Sequence, residues 1–144
     1  MNELSKASEV AERIDLISNL VSCMKDMPQV ETPVEHHFSD GVYAREIFMH
    51  AGLVAVGKIH KTRHLNIVSQ GSCSVVTPTR KFEVVAPYTF ESDPGEQKVV
   101  LIHEDTVWTT IHVTDSTDLS VIEEECIAKE YDQELIQKLI RDIQ

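Results

Sequence analysis

The sequence has few basic residues and few cysteines. Its 13 lysines and arginines stand against 24 aspartates and glutamates, which gives a formal net charge of -11. Because nucleic-acid phosphates are held by clustered Lys and Arg, this balance argues against a broad nucleic-acid-binding surface. The three cysteines, Cys23, Cys73 and Cys126, form no close pair. Their odd number and wide spacing predict a reducing, cytoplasmic setting rather than a disulfide framework.

Long apolar runs are also missing. No run approaches the roughly 18–20 residues that a membrane-spanning helix needs. The opening residues Met1–Lys6 are charged and lack the apolar core of a signal peptide. We therefore expect no membrane partner. A chain of 144 residues with 42% hydrophobic and 26% charged residues suits one folded domain with a single core.

Residues 1–33 predict an N-terminal helix and a linker. No glycine or proline occurs between Leu4 and Met27, and apolar residues recur every three or four positions, as on one helix face. These residues are Val10, Ile14, Ile17, Val21 and Met24. Pro28 then ends the helix. The apolar face either packs on its own domain or forms a seam with another subunit.

Residues 34–114 predict a β-rich segment in which short strands alternate with turn signals. The predicted strands are Tyr43–Met49, Leu53–Ile59, Asn66–Val68, Cys73–Val76, Phe82–Val85, Lys98–His103 and Thr106–Val113. The last two flank Glu104 and Asp105 as a predicted hairpin. Many short strands without helices between them favour a closed barrel or a sandwich over a parallel sheet.

Residues 115–144 predict two short helices that complete one compact domain. Ser120 and Glu123 have the spacing of a capping box at the start of the first helix. The second helix carries a further apolar face. Its members are Leu135, Ile136, Leu139, Ile140 and Ile143.

Two stretches carry a family resemblance. In the first, which runs from Gly57 to Gly71, His60 and His64 lie four residues apart in a β-type run; the second is the turn Asp93-Pro-Gly95. They resemble the first and second motifs of the cupin superfamily. The wider sequence also resembles a group of small cupin-like proteins encoded by tailed bacteriophages. The resemblance implies a mainly β fold: a cupin-like antiparallel β-barrel, or jelly roll, with an N-terminal helix and C-terminal helices. A phage-encoded protein would act in the host cytoplasm.

The resemblance also places the family's metal ligands on four positions of this chain. They fall on Lys58, His60, His64 and Lys98. A protonated lysine has no lone pair to give to a metal, and a catalytic zinc usually needs three protein ligands. We therefore expect no bound metal or other cofactor. The alternative is a divalent metal on His60 and His64.

A third imidazole would come from His103 or His112 if their strands face inward. The same interior would otherwise suit an anion such as a carboxylate or phosphate, because lysines and histidines offer donors to one. Trp108 lies in an alternating strand, which favours a place in the core or barrel lining over a role as a stacking platform. The predicted ligand-binding set is Lys58, His60, His64, Lys98, Trp108 and His112. A further alternative is a barrel that binds no ligand.

Three hypotheses about function follow. The first is a non-catalytic binding or assembly module that self-associates through its terminal helices into a homo-oligomer. The second is a binder that sequesters a small anionic or nucleotide-like ligand and interferes with host signalling. The third is a metal-dependent cupin enzyme of the oxygenase or isomerase type. No nucleophile triad or phosphate-binding loop occurs in the sequence, so nothing in it demands an enzyme.

Overall fold

The computed structural model of this chain describes residues 3–141, so the predicted helix residue Ile143 lies outside the described part. Three helices occur in that part: α1 (Glu3–Lys25), α2 (Leu119–Cys126) and α3 (Gln133–Arg141). Its strands are β1 (Val34–Ser39), β2 (Val42–Met49), β3 (Val54–Val56), β4 (Ile59–His60), β5 (His64–Val76), β6 (Lys81–Val85), β7 (Tyr88–Ser92), β8 (Val99–Val113) and β9 (Ile127–Ala128). The predicted mainly β fold with terminal helices is confirmed.

Two long antiparallel strands, β5 and β8, pair with each other at the centre of the main sheet. The other edge of β8 pairs with β3 near its start and with β2 near its end. The other edge of β5 pairs in the same way with β7 and then β6. Strand β1 extends the sheet beyond β2. The two long strands therefore pass through both halves of the barrel.

The β5–β8 pairing is interrupted by register shifts between Val68 and Cys73. At their centre Gly71 has φ 91°, and a Cβ atom there would lie 2.3 Å from the Asp105 carbonyl oxygen. Only glycine fits this close approach. The predicted hairpin at Glu104 and Asp105 is wrong, because these residues lie in β8 opposite the irregular part of β5.

The same irregularity explains a second error. The predicted strands Asn66–Val68 and Cys73–Val76 are parts of the single strand β5. A glycine in a β-type run predicts a turn, but it also marks a bulge, which bends a strand without ending it.

The core lies between the halves of the folded sheet. It consists of Met49, Val68, Cys73, Val75, Val84, Phe90, Val100, Ile102 and Trp108. Trp108 is buried there, and its indole Nε1 donates to Asn66 Oδ1 at 3.0 Å. Asn66 Nδ2 in turn donates to Ser92 Oγ at 2.8 Å. The buried polar groups of this layer are thereby paired.

The terminal helices pack on the same chain. Val10 and Ile17 of α1 are buried, α1 contacts α3, and Leu135 and Leu139 of α3 are buried. The predicted capping box is wrong in detail, because the N-cap of α2 is Asp118, whose side chain accepts from the Ser120 backbone N–H.

Candidate functional site

Strands β5 and β8 bring two histidines to the interior. Along β5, His64, Asn66 and Val68 are buried while Leu65 is exposed, as expected from the alternation of side chains in a strand. Leu65 pairs with Ile111 in β8, so His64 and His112 lie opposite each other one position further on. Both imidazoles therefore point into the same end of the barrel.

A third histidine, His60, reaches this place from the short strand β4. Its backbone N–H donates to the Glu96 carbonyl at 3.2 Å, and its own carbonyl accepts from Gly95 N at 2.7 Å. On the other edge His60 pairs with Ile127 of β9. The Pro94-Gly95 turn and β9 thus hold His60 from both sides.

The three imidazoles form a compact cluster. Ring centroids lie 4.3 Å apart for His60 and His64, 5.0 Å for His64 and His112, and 5.5 Å for His60 and His112. Imidazoles that share one tetrahedral metal through bonds of about 2.0–2.1 Å place their centroids roughly 5 Å apart. The rings therefore have the spacing of a three-histidine metal centre.

Burial keeps the cluster neutral. Desolvation, followed by the neighbouring His64 and Lys98 charges, lowers the pKa of His60 to about 2. Burial and Lys98 lower the pKa of His64 to about 3, and the same two causes lower the pKa of His112. At neutral pH each ring therefore keeps a nitrogen lone pair, which is the form that binds a metal.

Each ring also has a buried nitrogen without a hydrogen-bond partner among the described residues. These atoms are His60 Nδ1, His64 Nε2 and His112 Nδ1. The other nitrogen of His64, Nδ1, donates to the Thr62 carbonyl at 3.0 Å. That bond places the proton on Nδ1 and leaves the lone pair on Nε2, as metal-binding histidines are commonly held.

One adjustment separates this arrangement from a formed metal site. A different group already has its ligand atoms within 4.8 Å of one another in the described part of the chain. It consists of Glu35, His37 and Glu46, which lie at exposed or half-buried positions on β1 and β2. The ligand atoms of His60, His64 and His112 do not lie this close together, and the His60 and His112 rings are stacked with 15° between their planes, so a shared metal would require the rings to turn about χ2. Their donor type suits zinc, copper, iron or nickel.

A buried charge group lies beside the histidines. Glu96 is fully buried, and its carboxylate accepts from Arg80 Nε at 2.8 Å and from the Arg80 terminal nitrogen at 3.3 Å. Lys98 is 7% exposed, with its Nζ 3.9 Å from Glu96 Oε2. Burial lowers the pKa of Lys98 to about 8, against the opposing effect of Glu96.

Helix α2 and strand β9 cover this end of the barrel. Ile122 and Cys126 of α2 pack with Tyr43, and Ile127 of β9 packs against the same cluster. The Tyr43 ring stacks on His112 at 6.2 Å. The C-terminal segment thus reaches the histidine cluster through Tyr43 and through the pairing of His60 with Ile127.

The structure brings together four of the six sequence-predicted site residues: His60, His64, His112 and Lys98. Trp108 belongs to the core layer next to them. Lys58 does not join them, because its side chain is exposed and pairs with Glu123. The expectation that Lys58 faces inward is corrected here. The predicted strand Leu53–Ile59 is interrupted between β3 and β4, so the alternation that would place Lys58 beside His60 does not hold.

Sequence reasoning missed the ion pair of Lys98 with Glu96 and the ion pair of Glu96 with Arg80. Glu96 directly follows the Pro94-Gly95 turn. Glutamates are common in surface turns, so nothing in the sequence indicates that this one is buried. Arg80 lies 16 residues from Glu96 in the sequence, so no local pattern joins the two. Only the folded chain brings these two residues together.

No helix in the described part of the chain has the length and apolar character required to cross a membrane.

Several solved structures share this fold. A cupin superfamily protein from Desulfitobacterium hafniense superposes with a TM-score of 0.52 at 12% identity, over 62% of this chain and 84% of its own. An RmlC-like cupin with a double-stranded β-helix fold from Methanocaldococcus jannaschii gives 0.50 at 7% identity, over 62% and 86%. A DMSP lyase from Ruegeria pomeroyi gives 0.51 at 11% identity, over 60% and 49%.

No family model matches the sequence, and no curated protein matches it significantly. At these identities the structural likeness shows the fold alone. The chain therefore has the cupin fold, a double-stranded antiparallel β-barrel, with helices added at both ends.

Proposed function

We propose that this protein is a cupin-fold binding protein whose interior holds a divalent transition-metal ion on His60, His64 and His112. The observation that carries the proposal is the cluster of three neutral imidazoles, each with a buried ring nitrogen that has no hydrogen-bond partner within residues 3–141. The expectation of no bound metal rested on a count of two histidine ligands. His112 raises that count to three, the number common in sites that keep a position open.

The residues around the cluster support binding rather than catalysis. The Thr62 carbonyl holds His64, and Ile122 and Cys126 of α2 pack with Tyr43, whose ring stacks on His112. A bound ion would supply a Lewis acid at the open position. The buried carboxylate beside the cluster, Glu96, is already paired with Arg80 and Lys98, so it is not free to act as a general base.

Equilibrium dialysis of the metal-free protein against Zn²⁺ tests this proposal. We expect one tightly bound equivalent in the wild type, and at least tenfold weaker binding in His60→Ala, His64→Ala and His112→Ala. His37→Ala is the matched control, because His37 belongs to the exposed group with Glu35 and Glu46 and should not affect the interior site. No bound zinc, or zinc lost in His37→Ala but kept in His112→Ala, would contradict the proposal.

Two further expectations stay predictions. One is that the protein self-associates through its terminal helices as an assembly module. The other is that it is encoded by a phage and acts in the host cytoplasm. The resemblance of its sequence to small phage cupin-like proteins supports this prediction.

A further inference from the structure

Strand β1 forms a free edge of the main sheet. It ends the strand order, and no strand within residues 3–141 pairs with its outer side. Residues 35–39 are all exposed. Proteins usually blunt such an edge with lysine, proline, a bulge or a covering element. Strand β1 contains neither lysine nor proline, and its register with β2 is unbroken, so the edge is open to a further strand.

Three residues of β1 direct their backbone groups outward. The Pro33 carbonyl accepts from Phe48 N at 3.0 Å, so these two residues lie opposite each other as a hydrogen-bonded pair. Such pairs alternate along an antiparallel ladder, and the odd-numbered residues of β1 therefore bond to β2. The amides and carbonyls of Val34, His36 and Phe38 point away from β2, and they are the groups that a further strand would satisfy.

The sequence of β1 is complementary to itself when a second copy runs antiparallel to it. With His36 opposite His36 of the second copy, the three outward residues of each strand face those of the other, which allows about six backbone hydrogen bonds. Val34 then lies opposite Phe38 of the second copy, and an aromatic residue opposite a β-branched one is a favourable cross-strand pair. Other registers bring fewer outward residues together.

The remaining side chains match in the same register. Glu35, which carries the carboxylate of β1, lies opposite His37 of the second copy, whose imidazole can donate an N–H to it. On the other face, Phe38 is 41% exposed although its ring stacks on Tyr43 at 5.0 Å. Val34 of the second copy would cover the open side of that ring. Charge and apolar area are therefore complementary on both faces.

We propose that β1 pairs with β1 of a second copy of this chain across a two-fold axis at His36, so that the main sheet continues from one copy into the other. A two-fold axis places one surface against itself, which is what the self-complementary sequence of β1 fits. This interface is separate from the contact predicted through the terminal helices. It is also independent of the metal proposed above.

A cysteine scan of β1 tests the register. It starts from Cys23→Ser, which removes the exposed native cysteine. His36→Cys then places two thiols on the axis, where paired Cα atoms lie about 5.5 Å apart, within the range for a disulfide. We expect most of the chain to become a disulfide-linked dimer under mild oxidation at high micromolar concentration. Phe38→Cys is the matched control, because its two copies lie roughly 14 Å apart along the strands; adding Val34→Cys should restore the link.

A proline at the axis tests the backbone pairing. His36→Pro removes an outward N–H but no hydrogen bond to β2. His36→Ala is the matched control, because it keeps that N–H while both variants lose the 2.7 Å contact between His36 Nδ1 and the Tyr43 hydroxyl. We expect the Kd of the dimer, measured by sedimentation equilibrium, to be at least tenfold higher in His36→Pro than in His36→Ala. Circular dichroism and thermal melts establish that both variants are folded.

The pattern across the variants decides the inference. Cross-linking of His36→Cys and of the combined Val34→Cys and Phe38→Cys variant, but not of Phe38→Cys alone, supports it. Equal cross-linking of all variants would indicate random collision and would overturn it, as would no cross-link in His36→Cys. An equal dimer Kd in folded His36→Pro and His36→Ala would also overturn it, because pairing of the outward N–H would then contribute nothing.

Discussion

The buried imidazoles of His60 and His64 make the stability of the metal-free protein depend on pH. In the unfolded chain a histidine gains a proton as the pH falls through about 6.5. In the folded chain these two rings stay neutral until their pKa values of about 2 and about 3. The unfolded state therefore binds more protons, and the free energy of unfolding falls as the pH drops from 6.5 towards 3.

We predict a loss of about 2 kcal/mol for each of these histidines between pH 7 and pH 5. Urea denaturation at the two pH values measures it. His64→Gln removes one titrating ring and should reduce the loss by about one histidine's share, whereas His37→Gln changes an exposed ring and should leave it unchanged. Equal pH dependence in wild type and His64→Gln would show that His64 is not held neutral by burial.

At the scale of the element, α1 packs on its own chain. The sequence left its apolar face open to either its own domain or another subunit, and the structure buries Ile17 at 5% exposure while the neighbouring Leu16 is 67% exposed. Arg13 Nη1 also donates to the Pro78 carbonyl at 3.3 Å. Ile17 therefore contributes to the stability of the single chain.

We predict that Ile17→Glu lowers the free energy of unfolding by about 3 kcal/mol or more, because it loses buried apolar area and buries a charge. Leu16→Glu, one residue away on the exposed side, should change it by less than about 0.5 kcal/mol. Chemical denaturation of both variants makes the comparison. A stable, folded Ile17→Glu variant would place this residue at an interface between subunits instead.

The elements themselves were partly predictable. The helices were found because their apolar residues recur at helical spacing and prolines end α1. The lengths of β5 and β8 were missed because Gly71 and the polar pair Glu104 and Asp105 carry the same local signal in a bulge as in a turn. Pairing between strands that are distant in the sequence decides whether a bulge or a turn forms. No local sequence pattern contains this information.

At the scale of the whole molecule, self-association stays a prediction. Since the inner side of α1 is covered by its own chain, an interface made by α1 would use its outer side, where Leu16 is exposed. Light scattering at high micromolar concentration should give the mass of a dimer or trimer, and Leu16→Glu should lower it. A wild-type protein that is monomeric at that concentration would end this idea.

Part of the candidate site could be predicted from the sequence. His60 and His64 were found because their spacing lies within a resemblance to known motifs. Lys98 was found by its place after the Pro94-Gly95 turn. The meeting of His112 with the other two rings depends on the register of β5 and β8. The ion pair of Lys98 depends on the burial of Glu96, which Arg80 also holds. Such long-range contacts are properties of the fold.

The X-ray absorption spectrum of the zinc-loaded protein at the zinc edge distinguishes an interior three-histidine site from a surface site, because it reports the ligands of the ion. We expect three imidazole nitrogens at about 2.0–2.1 Å from the zinc, with one imidazole fewer in His112→Ala. A shell of one imidazole and two carboxylates would instead identify the exposed group of Glu35, His37 and Glu46. That result, or a shell of oxygens alone, would contradict a metal centre inside the barrel.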